Sequence, residues 1–309
     1  MTANIPVDFV AFNIILDDIV FPDGRTAMGV LGGSGPQTAF GMRLWADRVG
    51  LVAGVGLDFP PEAQSWLEQA GLDTTALRYE PDIPTPRAWQ VLEEDGRRTQ
   101  VWRVPGPVLG RQLERSVDKL PPHYRAAKAF HFGLHPEEPN PDFAAALRNL
   151  GAIVSVETFK PAGRILPDVE VRQLVSMAHI FSPNVFEAQS LVGPGEPLEV
   201  AQRLAQAGAE VVPLRLGLDG AIIHHAQTGE TWHIPAAPVT IVDPVGAGNA
   251  FCGGFLVGWV NSGDLLTAGL YGVVAASFLV EQVGAPPARP LPEEIKSRLE
   301  AARKTATQL

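Results

Sequence analysis

The chain has 309 residues, 46% hydrophobic and 19% charged, with a formal net charge of −10. That balance belongs to a globular protein with a large core and excludes a disordered chain. No basic stripe runs along the sequence, which excludes nucleic acid and anionic membrane surfaces as partners. The single cysteine, Cys252, permits no intrachain disulfide and fits a reducing, cytoplasmic setting. It lies in an apolar run and reads as a small core residue. The opening "MTANIPVDFVAFN" has no basic segment followed by a sustained apolar one, so no signal peptide is expected. Apolar runs such as "GVVAASFLV" are too short for a membrane span, which needs about 20 residues.

Taken in chain order, "ILDDIVFPDGRTAMGVL" predicts a strand pair turning at Asp23-Gly24. "GGSGPQ" then forms a loop, with Pro36 in the first turn of a helix that the pattern carries to Gly50. A strand at Leu51-Val52-Ala53 leads into a Gly54–Asp58 loop. "RAWQVLEEDGRRTQVWRV" predicts a second hairpin, turning at Asp95-Gly96. Further on, a helix, a glycine and a buried strand recur. "FAAALRNLGAIVSVE" stops at Gly151, and "EVAQRLAQAGAEVVPLRLG" stops at Gly208. "VRQLVSMAHIFSPN" runs from a short helix into Ile180-Phe181, and "LRLGLDGAIIHH" reads as strand, turn and return strand. Two C-terminal helices are predicted in "DLLTAGLYGVVAASFLVEQVGA" and "LPEEIKSRLEAARKT". Helices alternating with buried strands predict an α/β fold with a mostly parallel central sheet, covered by helices on both faces. The two hairpins have another rhythm and predict a small antiparallel β lid, from about 15–31 and 85–105, within one domain over 1–309.

"VDPVGAGNAFCGGFLVGW" reads as a strand end, a tight Gly246-Ala247-Gly248 turn and a helix. Glycines let backbone N–H groups converge, and a helix start adds positive potential, so the turn suits an anion such as a terminal phosphate. No P-loop motif occurs, and the G-x-G-x-x-G pattern fails at Phe251. In "SPNVFEAQSL", Asn184 and Glu187 are three apart. They suit a hydrated Mg²⁺, or else a plain helix cap. Gly32-Gly33 lets a small ligand lie against backbone, and Ser34 and Gln37 offer polar contacts. His131 and His135 straddle a glycine and a strand end, so no metal site is expected there.

In this order the pieces resemble the ribokinase-like carbohydrate kinases, the PfkB family. The matching pieces are an Asp pair, a "GG" loop, "GVGLD", a hairpin lid, "PNVFE", "LRLGLDG" and "DPVGAGNAF". The resemblance implies a three-layer α/β/α fold with a β lid, and ATP-dependent phosphorylation of a sugar or similar small hydroxyl compound. It implies that Asp17 or Asp18, with Gly32, Gly33, Ser34 and Gln37, holds the substrate. Asn184 and Glu187 would place phosphate and Mg²⁺, the latter through water. Arg215, Gly217 and Gly220 would touch the nucleotide, and Gly246, Ala247 and Gly248 would form the anion hole. Asp243 and backbone near Val245 would help hold a monovalent cation, K⁺ in many members. The lid's edge strands offer a surface for a homodimer.

Three positions depart from the family pattern. Ser34 stands where members usually carry Asn or Lys, and Arg215 where Thr is common. Asn249 occupies the place of the aspartate that takes the substrate's proton, and an amide has no usable basicity. Two readings follow. One is a kinase with a weak or relocated base, drawn from Asp17, Asp18, Glu157 or Asp243. The other is a pseudokinase that binds nucleotide or a small ligand for regulation.

Overall fold

A computed structural model describes residues 6–94, 98–286 and 289–309. In chain order its strands are β1 (Phe9–Phe12), β2 (Ile15–Val20), β3 (Thr26–Gly32), β4 (Val49–Gly56), β5 (Asp73–Glu80), β6 (Arg87–Leu92) and β7 (Arg98–Trp102). They continue with β8 (Ala129–Leu134), β9 (Ile153–Thr158), β10 (Ile180–Phe181), β11 (Val211–Arg215), β12 (Ala221–His225), β13 (Thr231–Ile234) and β14 (Thr307–Gln308). The main sheet has ten strands in the order β14-β13-β12-β11-β10-β9-β8-β1-β4-β5. From β5 across to β11 every neighbouring pair is parallel. From β11 to β14 the pairs are antiparallel.

β1 and β4 carry no polar side chain because both faces of the sheet are covered. β1 and β4 are buried along their whole lengths. Phe9 and Ala11 of β1 join one hydrophobic cluster, with the helices Ser34–Arg43, Ala247–Ser262 and Leu265–Leu279. Val10 and Phe12 join the other, with the helices Pro141–Asn149, Asp168–Ser176 and Pro197–Gln206. This is the expected three-layer ribokinase-like arrangement. No helix among the described residues is long and apolar enough to cross a membrane.

The helix predicted to run to Gly50 ends at Arg43, and Gly50 lies inside β4. Its glycine is a close-approach residue rather than a helix stop, since a Cβ there would lie 2.5 Å from the Tyr124 ring. β4 also continues to Gly56, through the stretch expected to be loop. Glycine is needed again where the helices meet. A Cβ on Gly41 would fall 2.1 Å from Ala250 O, one on Gly253 2.0 Å from Thr38 O, and one on Gly254 2.4 Å from Tyr271 O. The helix Ala247–Ser262 is thus held between two others by backbone contact.

The small sheet has the order β3-β2-β6-β7. It consists of two antiparallel hairpins joined by a parallel β2–β6 pairing. The tip of the second hairpin, at Asp95-Gly96, lies outside the described residues. The β2–β3 register slips between Asp17 and Ile19, and Asp18 sits at the slip. Its carboxylate, fully buried, accepts from Arg87 Nε and Nη2 at 2.8 and 2.7 Å, from the Gly29 N–H at 2.8 Å, and from Arg103 Nη1. These donors hold the Asp18 carboxyl down at about 2, after offsetting the opposing effect of its burial. At the base of the lid, Asp58 Oδ1 accepts from Thr85 N–H and Oγ1, both at 2.8 Å, and Thr85 Oγ1 accepts from Gly56 N–H at 3.0 Å.

Asp18→Asn is expected to cost about 2 kcal/mol, because two arginines lose their shared anion. Thermal melts would show it. The contribution sits above the unfolded carboxylate pKa and fades as pH falls toward 2, so the wild-type advantage shrinks in acid. Equal melting temperatures at pH 7 would remove Asp18 as the joint between the hairpins.

Candidate active site

The carboxyl ends of β1, β8, β9, β10 and β11 open toward one place, the usual ligand position in an α/β sheet. Its floor is the start of the helix Ala247–Ser262. Gly246 adopts the left-handed conformation, φ 83°, and no side chain caps the helix. Ala247 N–H donates to Pro244 O at 3.3 Å, whereas the Gly248 and Asn249 N–H groups have no acceptor within the helix. The turn is held from several sides. Asp243 is buried, and its Oδ1 accepts from Val245 N–H at 2.9 Å. Its Oδ2 is sealed without a partner among the described residues, and burial raises its carboxyl above the ordinary range. Gln37 is also buried and packs beneath Gly246, where a Cβ would lie 2.6 Å from its Cγ. That residue, implied by resemblance to contact substrate, lies against the Gly246 turn.

Asn249 sits in the first turn of the helix and donates through Nδ2 to Gly33 O at 3.4 Å. Gly33, φ 85°, begins the helix Ser34–Arg43, and the Ser34 hydroxyl donates to Phe12 O at 2.9 Å. Asp17 approaches the same loop from β2. Its carboxylate lies over Gly32, whose Cβ would fall 1.8 Å from Oδ2. Oδ1 accepts from Gln90 Nε2 at 2.7 Å. Burial pushes the Asp17 carboxyl up to about 6, against the lowering effects of Gln90, Arg98 and the Gly33 N–H. The two adjacent aspartates therefore differ. Asp18 is enclosed by lid arginines, and Asp17 faces the loop that Asn249 touches.

Asn184 and Glu187 form a reciprocal cap. Asn184 N–H donates to Glu187 Oε2 at 2.8 Å, and Glu187 N–H donates to Asn184 Oδ1 at 2.9 Å. Glu187 Oε1 has no hydrogen-bond partner among the described residues. Burial pushes its carboxyl up to about 7, opposed chiefly by Arg215. A free carboxylate oxygen, destabilised in its charged form, fits the edge of a hydrated Mg²⁺. Arg215 ends β11 and lies 2.8 Å from Glu157 Oε2 and 3.5 Å from Glu187 Oε2. Gly217 opens a short turn whose backbone is uncrowded, whereas Gly220 packs tightly, its Cβ position lying 2.1 Å from Ile234 O.

Below the floor, His131, Glu157 and Cys252 bring possible metal ligands within 4.8 Å of one another. The Arg215 guanidinium already neutralises Glu157, and burial pushes the Cys252 thiol up to about 12. Glu157, held by Arg215 and facing His131 Nε2 at 3.6 Å, makes the three residues part of one buried polar cluster. His135 lies apart from it, its Nδ1 3.9 Å from Glu137 Oε2.

Two features escaped the sequence reading. Arg98 on β7 spans from the lid to the main body, donating to Phe159 O at 3.2 Å. Its charge lowers the carboxyls of Asp17, Glu157 and Glu187. The other is the Glu157–Arg215 pair. No local pattern signals either one, because the partners are far apart in sequence.

The sequence pattern of the "pfkB family carbohydrate kinase" matches residues 23–292. The chain is 31% identical over 253 residues to the cytidine kinase of Thermococcus kodakarensis, covering 80% of this chain and 86% of that one. It is 26% identical to the nucleoside kinase of Methanothermobacter thermautotrophicus, covering 90% and 89%. The aminoimidazole riboside kinase of Salmonella enterica, solved with aminoimidazole riboside and an ATP analogue, superposes with a TM-score of 0.76 at 20% identity, covering 94% and 100%. The match over most of its length, on a mostly parallel α/β sheet with a second, smaller sheet, makes this chain a member of the pfkB family of carbohydrate kinases.

Proposed function

We propose that this kinase transfers the γ-phosphoryl group of ATP to a hydroxyl of a ribosyl compound, a nucleoside or close analogue, with Asp17 accepting the hydroxyl proton. The observation that carries the reading is the convergence of Asp17 and Asn249 on the Gly32-Gly33 loop. Of the four candidate bases, Asp18 is enclosed by Arg87, Arg103 and Gly29, and Glu157 is paired with Arg215. Asp243 braces its own turn. Asp17 combines a ligand-facing position with a pKa of about 6, matched to proton transfer near neutrality. Nucleoside and riboside kinases among the relatives support the ribosyl class.

In the transfer, the substrate oxygen bonds to the γ-phosphorus as the bond to the β–γ bridging oxygen breaks, and ADP leaves with that electron pair. The hydroxyl proton passes to Asp17. The N–H groups at the Gly246 turn receive charge on the phosphoryl oxygens. Asn249 contributes a donor and no base. Bound near Glu187 and Asn184, Mg²⁺ would supply charge neutralisation for the phosphates. Exposed apolar side chains on the loops next to the turn, Leu218, Ile241 and Val242, suit a nucleobase. The unpartnered Asp243 Oδ2 suits K⁺. A cytoplasmic location and a homodimer through the lid edges complete the reading.

The pseudokinase reading is favoured by Asn249 alone. ADP release from MgATP, measured over ribonucleosides and free sugars for wild type and Asn249→Asp, separates the two. The expected result is turnover of a ribonucleoside by wild type, changed less than about tenfold by the substitution, since general-base catalysis of about 10²–10⁴ would already be supplied elsewhere. Silence in wild type with activity gained in Asn249→Asp would make the protein a switched-off kinase.

A further inference from the structure

The guanidinium of Arg215 is used on one side only. Nη2 donates to Ser182 O at 2.8 Å and faces Glu157 and Glu187 at 2.8 and 3.5 Å. Nε is sealed from solvent without a partner among the described residues. Nη1 makes no hydrogen bond among the described residues, and it is not among the sealed atoms. It is also the atom nearest Gly248, where a Cβ would lie 1.8 Å away. Nη1 therefore ends beside the first turn of the helix Ala247–Ser262, at the floor of the anion site, with its protons unassigned.

We infer that Arg215 Nη1 donates to the transferred phosphoryl group from beside Gly248, making Arg215 a catalytic residue; this rests on the kinase reading. Two carboxylates and a carbonyl hold one nitrogen, Nη2, of a planar cation, so the Nη1 edge is preorganised toward the turn. Little reorganisation is needed when charge develops on the phosphoryl oxygens, the condition under which such a donor contributes most. The neighbouring substitution pattern fits. Asn249 removes a negative charge from the turn, and Arg215 brings a positive one to it. Phosphoryl transfer depends chiefly on positioning and on stabilising charge at the phosphoryl oxygens. A more cationic floor thus shifts the work from proton removal toward stabilising those oxygens. Gly248 is part of the device, because any side chain there would occupy the guanidinium's place.

Arg215→Lys keeps a charge for Glu157 but loses the second edge. Gly248→Ala keeps the arginine and displaces it. For wild type and both variants, calorimetry would give the affinities of ATP and AMP in Mg²⁺ buffer, and steady-state assays kcat and KM. Both variants are expected to bind AMP as wild type does, to bind ATP about tenfold more weakly, and to lose about 10²-fold in kcat. ATP and AMP affinities falling in parallel, or an unchanged kcat in both variants, would overturn the assignment and leave Arg215 as a structural counter-ion. Should wild type turn over no acceptor, the kinase reading fails by itself. The ATP-to-AMP affinity ratio would still decide whether Nη1 meets the terminal phosphate.

Discussion

Asp17→Asn is expected to lower kcat/KM about 10³-fold while raising the melting temperature at pH 7. The two effects have one cause. Burial disfavours the charged Asp17 and moves its carboxyl up to about 6, so at neutral pH the fold holds a carboxylate it would rather protonate. The sign follows from linkage. The folded pKa lies above the unfolded one, so this group's penalty is absent below about 4, grows as pH rises, and is complete above about 6. An amide of the same shape keeps the Gln90 contact at Oδ1 and relieves that penalty. It cannot accept a proton, and general-base catalysis of about 10²–10⁴ is lost. In wild type, kcat/KM should climb with pH through about 6 and then level off. In Asp17→Asn that limb should vanish. A variant within tenfold of wild type that keeps the limb would exclude Asp17 as the base.

The largest stability effect is expected at Gly253. Gly253→Ala places a methyl 2.0 Å from Thr38 O and 3.0 Å from Met42 N, both backbone atoms that cannot swing aside. A loss of about 3 kcal/mol is expected from forcing the helices apart. Because the same helix begins at Gly246, kcat should fall as well. Gly110→Ala is the control, since Gly110 lies in the helix Gly106–Gln112 with no atom within 4 Å of a Cβ. It should gain about 0.5–1 kcal/mol from helix propensity. Urea unfolding of the three proteins tests both. A Gly253→Ala midpoint equal to that of wild type would mean that the helices separate freely.

Much of this was legible in the sequence because the signals are local. The alternation of helices with apolar strands gave the sheet, and Asp23-Gly24 gave the first lid hairpin. "DPVGAGN" marked the tight turn into the helix Ala247–Ser262. Gly50 misled because a glycine marks a helix stop and a close approach equally well, and only the distant Tyr124 ring decides between them. Of the two readings of Asn184 and Glu187, the structure displays the helix cap, which leaves one carboxylate oxygen free. Asp17 and Asp18 were indistinguishable on paper. The register slip on β2 and the arginines of the other hairpin separate them, and both are long-range facts. Gln37 and Arg215 were read as ligand contacts by position. Their positions, Gln37 against Gly246 and Arg215 against Gly248, depend on how two helices and a strand meet.

Asp18 also has a bearing on how the lid moves. A lone two-stranded ribbon bends and twists readily. Here two ribbons, distant in sequence, share one buried anion and one parallel seam. They are tied at the base, so any displacement of the small sheet is expected to carry both ribbons together, with one relaxation rate in place of two.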